Sequence, residues 1–349
     1  MTTTTLTASP PRLSCYTTNL VAYLSADLPD AGRHFAASVR LAVRTGLPPG
    51  RLAFSHHTRV DTATGLGPLA YRSAADRQRA HAGLARELAL RGRVLVVGNT
   101  RHLPWSPGYG RADAPHWLLL HDHRDGCWLV ADHFTALTPH GPQEPYLGWL
   151  DGDELTLALT PVPDPAPEVA LRDRLALGSA APVPGPGHFR WLEREREPAA
   201  DGTCPAPDAS EATVLSTGAT VPDEGSWLFG LPDVLSYVRD VLVTEPTAPG
   251  RYADDLWAAG CHHAHRLTVL AESGAMSRAD VDTLTALWAE LPRALRFAAQ
   301  SAERGRPRAG LVGAAFDRLL DALRPLPHDL HTPAFPALPA PPHTLEGQQ

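Results

Sequence analysis

Residues 94–134 read VLVVGNTRHLPWSPGYGRADAPHWLLLHDHRDGCWLVADHF. Val94–Val97 is a short apolar run with β-branched residues, the pattern of a central strand. Residues 98–115 follow as a loop holding Asn99, Pro104, Pro107, Gly108, Gly110 and Pro115. Irregular loops of that length inside a domain are usually functional or disordered, and Trp105 and Tyr109 argue against disorder. His116–Asp122 and Cys127–Phe134 then read as the arms of a β-hairpin turning at Arg124-Asp125-Gly126.

The hairpin carries a histidine at its entry and an aspartate near its exit, and their relation depends on register. A two-residue Asp125-Gly126 turn pairs Arg124 with Cys127. Carried on without interruption, that register sets Asp132 opposite Leu119, on the other face from His116. A three-residue loop with Gly126 in the left-handed region sets Asp132 opposite Leu118 instead. His116 is then a diagonal neighbour on the same face, about 7–8 Å away by backbone. Cooperation between His116 and Asp132 therefore requires an odd loop or a bulge.

Upstream, Tyr16, Leu20 and Leu24 make one apolar stripe of a helix, with Ser14 placed to cap it. Cys15 falls in its first turn, where unpaired N–H groups and the helix dipole favour a thiolate. A thiol nucleophile needs a nearby base, and the base needs an orienting group. Cys15, His116 and Asp132 offer that set in the chain order of papain-like enzymes. A buried apolar cysteine and a satisfied strand histidine are the plainer alternatives. Asn19, four residues on, shares the Cys15 face. It is a candidate oxyanion donor beside the Cys15 N–H, or else a polar residue on the helix surface. Asn99, Trp105 and Tyr109 are substrate-binding candidates on the loop.

Composition narrows the chemistry. The 349 residues are 43% hydrophobic, with a net charge of −7, which leaves no basic footprint for nucleic acid or an anionic membrane. The chain has no Lys, which removes a Walker A lysine, a Schiff-base lysine and Ser-Lys dyads. It has no Ile either, a bias of coding composition with little mechanism in it. The four cysteines are widely spaced without CxxC, arguing against a thiolate zinc site or disulfide scaffold. Cys261, His262 and His265 have spacings that zinc accepts. With no third-element partner they read as helix-face or solvent histidines, and no metal is expected. No secretory signal and no apolar run of about 18–20 residues is present, so a cytoplasmic protein is expected.

Residues 1–11 read as a poorly ordered N-terminus, 12–160 as a catalytic domain, 161–224 as a Pro/Gly-rich linker, 225–325 as a helical domain and 326–349 as a disordered tail. Helices are expected at 33–45, 74–91, 230–243, 252–273, 278–303 and 310–324, with a helical piece near 169–177. Strands are expected near Tyr146–Leu150 and Glu154–Leu159. Ser277-Arg278-Ala279-Asp280 is a capping signature. Arg293, Arg296, Arg304, Arg306 and Arg308 form a basic run, read as a solvated helix side rather than a docking face.

The apolar strand, Leu103-Pro104-Trp105, Pro107-Gly108-Tyr109, His116 and Asp132 together resemble the N-terminal domain of the butirosin biosynthesis protein H family. Cys15-x-x-x-Asn19 fits the same pattern. The resemblance covers roughly residues 12–160, and the His-to-Asp hairpin also resembles that of C39-type peptidases, which share the papain-like fold. It implies an α+β, papain-like fold with a helical C-terminal region. It implies a cysteine acyltransferase of natural-product biosynthesis, taking an acyl group from an acyl or peptidyl carrier protein thioester. Cys15 would receive the acyl group, His116 act as base and then acid, and Asp132 orient His116. The acceptor would be a small-molecule amine or an internal nucleophile. No cofactor is implied beyond the phosphopantetheine on the carrier; no nucleic acid or membrane partner is expected, and the chain is open to homodimerisation. The family's Cys-Gly step reads Cys15-Tyr16 here, and its Gly-rich segment is reduced to Gly65-Leu66-Gly67, implying an altered acceptor side. A hydrolase with the same three residues, or a non-catalytic binding protein with Cys15 in its core, are the other readings.

Overall fold

Ser14 opens the first helix, α1 (Cys15–Leu24), by accepting a hydrogen bond from the Thr17 N–H. The computed structural model describes residues 12–195 and 226–326. The expectations for residues 1–11, for 196–224 of the linker and for the tail beyond 326 lie outside the described residues, as does Cys204. After α1 come α2 (Ala31–Ser38), β1 (Val39–Arg44), β2 (Phe54–His57), β3 (Leu69–Ala74), α3 (Arg77–Arg91), β4 (Val94–Asn99), β5 (Pro115–Arg124) and β6 (Cys127–Asp132). The small hairpin β7 (Ala136–Thr138) and β8 (Gly141–Gln143) precedes β9 (Tyr146–Leu150), α4 (Gly152–Ala158), α5 (Pro167–Leu175) and β10 (Phe189–Arg194). β11 (Trp227–Leu228) then leads into α6 (Leu231–Thr244), α7 (Ala248–Glu272), α8 (Arg278–Glu303) and α9 (Ala309–Leu323). The fold is α+β.

The main sheet has six antiparallel strands in the order β3-β10-β4-β5-β6-β9. β4 is buried along its whole length, as a run without alternation must be when both faces are covered. On one face, Leu95, Val97, Trp117 and Leu119 pack beneath α1 and α2. On the other, Val94, Val96, Leu118, Leu120 and Val130 pack beneath α3 and α4. The last four helices form a separate core with Leu41, Val43, Leu52 and Phe54 of the β1–β2 region.

Four expectations are corrected. The helix over 33–45 stops at Ser38, and Val39–Arg44 becomes a strand between β11 and β2. Its β-branched Val39 and Val43 suit that pleated position. Glu154–Leu159 is not a strand but most of α4, because Asp151 and Glu154 form a reciprocal capping box that satisfies first-turn donors. The stretch expected as a surface linker holds α5, close to the helical piece expected near 169–177, but also supplies β10, which lies inside the sheet. Trp191 of β10 packs so tightly on α3 that a Cβ at Gly83 would stand 2.4 Å from its ring. The helical region is not a domain by itself either, since β1 and β2 complete its core. The four C-terminal helices lie close to where they are expected, with Ser277 capping α8 by accepting from the Asp280 N–H.

The register of the β5–β6 hairpin is settled by a bulge. Asp125 and Gly126 both have positive φ, 51° and 78°, and form the two-residue turn that suits a twisted hairpin. The three-residue loop is therefore not used. Arg124 pairs with Cys127 and Asp122 with Leu129, but Leu120 pairs with Val130 and Leu119 with Ala131. His121 is the extra residue. The shift brings Asp132 opposite Leu118 and onto the same face as His116.

Candidate active site

Three side chains from three elements meet at one end of the sheet. Cys15 comes from the first turn of α1, His116 from the start of β5 and Asp132 from the end of β6. His116 Nε2–H donates to Asp132 Oδ2 at 2.8 Å. The ring's other nitrogen, Nδ1, is not used by that bond, and Cys15 is near enough to help raise the imidazole. His116 and Asp132 are 3% and 1% exposed, so their interaction is little screened. Burial alone would push His116 down. The Asp132 carboxylate, followed by Cys15, outweighs it and holds the imidazole up at about 10. Burial would raise Asp132, but the His116 charge and the hydrogen bonds from His116, Trp105 and Phe134 bring it below the usual carboxylate range. An imidazole held by a buried carboxylate, with a thiol on its other side, is the arrangement a thiol nucleophile and its base require.

Asp132 is held by four donors. His116 Nε2 and Trp105 Nε1 donate to Oδ2, the latter at 3.0 Å. The Phe134 N–H and Asn19 Nδ2 donate to Oδ1 at 3.0 and 3.3 Å. This corrects two expectations. Trp105 does not line the cavity: it anchors Asp132 and stacks on Tyr146, with centroids 3.8 Å apart. Asn19 is fully buried. Its amide also donates to the carbonyls of Cys15 and Trp117 at 3.1 and 2.8 Å, so its hydrogens are committed inward and not to an oxyanion. Asn99, the last residue of β4, likewise turns away from the cavity, donating to Asp113 Oδ1 at 2.9 Å and accepting from the Arg101 N–H. Tyr109 is exposed and does not line the cavity. His133, on the other side of Asp132 from the strand, also lies outside the lining.

Cys15 and His116 open onto a cavity of about 350 Å³, within the range of about 300–1,000 Å³ usual for small-molecule sites. The sequence reading missed its far wall, which belongs to β2, α5 and α7. Phe134 packs edge-on against His116 and Trp257 edge-on against Phe134, at 5.4 and 5.9 Å between centroids. Thr17 Oγ1 and His262 Nε2 share a hydrogen bond of 2.9 Å, tying α7 to α1 two residues after the thiol. His262 is thus a buried residue of the site, not a helix-surface one. Arg172 of α5 forms a bidentate pair with the buried Asp255 of α7, at 2.7 and 2.8 Å. No local signal marks these residues as a site; the wall exists only once α5 and α7 are packed.

Among the described residues, no group of three or more His, Cys, Asp or Glu side chains is placed to hold a metal ion. Cys15, Cys127 and Cys261 are free thiols, and burial pushes Cys261 up to about 12. No helix among the described residues is long and apolar enough to cross a membrane. Of the basic run, Arg293, Arg304, Arg306 and Arg308 are exposed, while Arg296 pairs with Asp254 at the cavity at 3.1 Å. No protein-family model matches this chain, and no curated protein matches it either. What defines the site is its own geometry: an imidazole hydrogen-bonded to a buried carboxylate, with a thiol beside it, lining one cavity on an α+β scaffold.

Proposed function

We propose that this chain is a cysteine acyltransferase of papain-like architecture, acting in natural-product biosynthesis on an acyl or peptidyl carrier protein thioester. The observation that carries the reading is the series Cys15–His116–Asp132 at the mouth of the cavity. The chain order, a nucleophile that begins a helix, and a base and carboxylate on neighbouring antiparallel strands all support it, as does the resemblance to the butirosin biosynthesis protein H family. The Cys15 thiolate attacks the thioester carbonyl, and the new S–C bond forms as the old one breaks. His116 gives its proton to the departing phosphopantetheine thiolate. An amine then attacks the acyl-Cys15 carbonyl, His116 takes the amine proton, and Cys15 leaves as thiolate. The Cys15 N–H, a first-turn donor without an intrahelical partner, stabilises the oxyanion.

The test is intact mass after incubation with acyl-carrier thioesters. An acyl adduct on Cys15, absent from Cys15→Ser and persisting until an amine is supplied, is the expected result. An adduct that hydrolyses at once with no preference for amine would make the protein a hydrolase instead. His116→Ala should slow alkylation of Cys15 by iodoacetamide about a hundredfold or more. Turnover should fall as pH rises through about 10, where His116 loses its proton. A Cys15 alkylated at the rate of an ordinary thiol, and indifferent to His116→Ala, would leave a non-catalytic protein.

A further inference from the structure

Opposite Cys15, the cavity is walled by Leu52, Phe54, Leu171, Leu175, Tyr252 and Trp257. Leu52, Phe54 and Tyr252 are 1%, 5% and 1% exposed, so this side is built from core residues. Its aromatic groups interlock. Phe54 meets Tyr252 edge-on at 5.9 Å and stacks on His56 at 5.9 Å, and His56 meets His262 at 5.6 Å.

The charges lining the cavity are mostly neutralised in pairs. Arg172 is bound by Asp255, and Asp254 by Arg296. Burial keeps the His57 imidazole at about 4 and that of His262 well below its usual value, so both are neutral near pH 7. Glu168, in the first turn of α5, adds a further carboxylate to the lining, which an anionic group would meet unfavourably.

We infer that the acyl group taken up by Cys15 is uncharged and apolar, aliphatic or aromatic, and is seated between β2, α5 and α7. This deepens the acyl-transfer reading and rests on it. A hydrocarbon chain entering this side leaves water for a wall of aromatic and aliphatic carbon. Each seated methylene is then worth about fourfold, or about 0.8 kcal/mol. An anionic chain would have to shed its hydration where the arginines are already paired and Glu168 repels it, and a cationic one would find only Glu168, in the first turn of α5; either costs far more than one methylene returns.

The test alkylates Cys15 of the full chain with iodoacetamide, its N-octyl derivative, and derivatives whose tails end in a carboxylate or an ammonium. Each rate is divided by the rate with glutathione. The octyl probe should react at least about tenfold faster than iodoacetamide, as a few seated methylenes require, and neither charged probe should gain. Leu175→Trp fills the seat from α5 and should bring the octyl ratio toward one. Ala258→Trp fills it from α7 and should do the same, which serves if the first variant folds poorly. An octyl probe no faster than iodoacetamide, or a charged probe faster than the octyl one, overturns the inference. The ratio is read on Cys15 whether or not a thioester acylates it. Octyl preference with no acyl adduct therefore sinks acyl transfer and keeps the apolar seat, while acylation without octyl preference does the reverse.

Discussion

Asp132→Asn is expected to lower acylation of Cys15 by about 10³–10⁴-fold, the scale seen when the orienting carboxylate of a catalytic triad becomes an amide. The cause here is specific. Both carboxylate oxygens face donors only: His116 and Trp105 on one side, Phe134 and Asn19 on the other. Whichever way the amide is turned, its NH₂ confronts two donors. Buried groups left unpaired in this way cost about 1–3 kcal/mol each, so the variant should also unfold at lower urea.

A pH profile separates loss of orientation from loss of stability. Removing the carboxylate charge removes the largest influence that raises His116. The alkaline limb of thiol reactivity, set at about 10 in the native protein, should move to lower pH. The stability difference between the two proteins has its own signature. His116 is raised above its ordinary 6.5, so its contribution is full below that value and lost as pH rises through about 10. Asp132 is depressed, so its contribution is present above the ordinary carboxylate value and lost as pH falls through its folded one. Urea midpoints should therefore differ most near neutrality and converge toward both extremes. A difference that is flat with pH would show that the carboxylate is not ionised against an imidazolium.

The second large effect is expected at the far wall. Arg172→Met leaves Asp255, 3% exposed, facing only His56 Nε2 at 3.9 Å. Breaking a buried pair from one side costs about 3–5 kcal/mol, whereas replacing both partners by apolar residues is often near neutral or stabilising. Arg172→Met/Asp255→Leu should accordingly recover most of the urea midpoint lost by the single change. If the double variant is no better than the single one, the pair holds α5 to α7 by more than charge. The same double change makes the cavity wall wholly apolar there, so the octyl preference of Cys15 should not decline in it.

How much of this was legible in the chain depended on how local the cause was. Helices α6–α9 announce themselves through periodicity and the Ser277 cap, because those signals span a few residues. The meeting of His116 and Asp132 was legible for a related reason: they lie on one hairpin, where pairing rules give relative faces directly. β10 was not legible. Its partners are residues 69–74 and 95–97, roughly a hundred positions away, and its Pro/Gly-rich flanks look like linker. Residues 154–159 alternate apolar and polar like a strand, yet one capping pair beginning at Asp151 decides for helix. Asn19 and Trp105 were picked out as site residues but given the wrong task, since spacing tells which residues gather and not which way an amide or indole N–H turns.

The bulge at His121 lets one hairpin run in two frames. Between the turn and His121 the strands count in one phase; between His121 and the cavity they count in the other. Because the surplus residue falls at the seam, a chain lacking His121 would close the ladder without moving either end: Leu120 would still face Val130, and Asp122 would still face Leu129. Such a chain should keep the reactivity of Cys15. The seam is a point where the hairpin can lose a residue while the site keeps its phase.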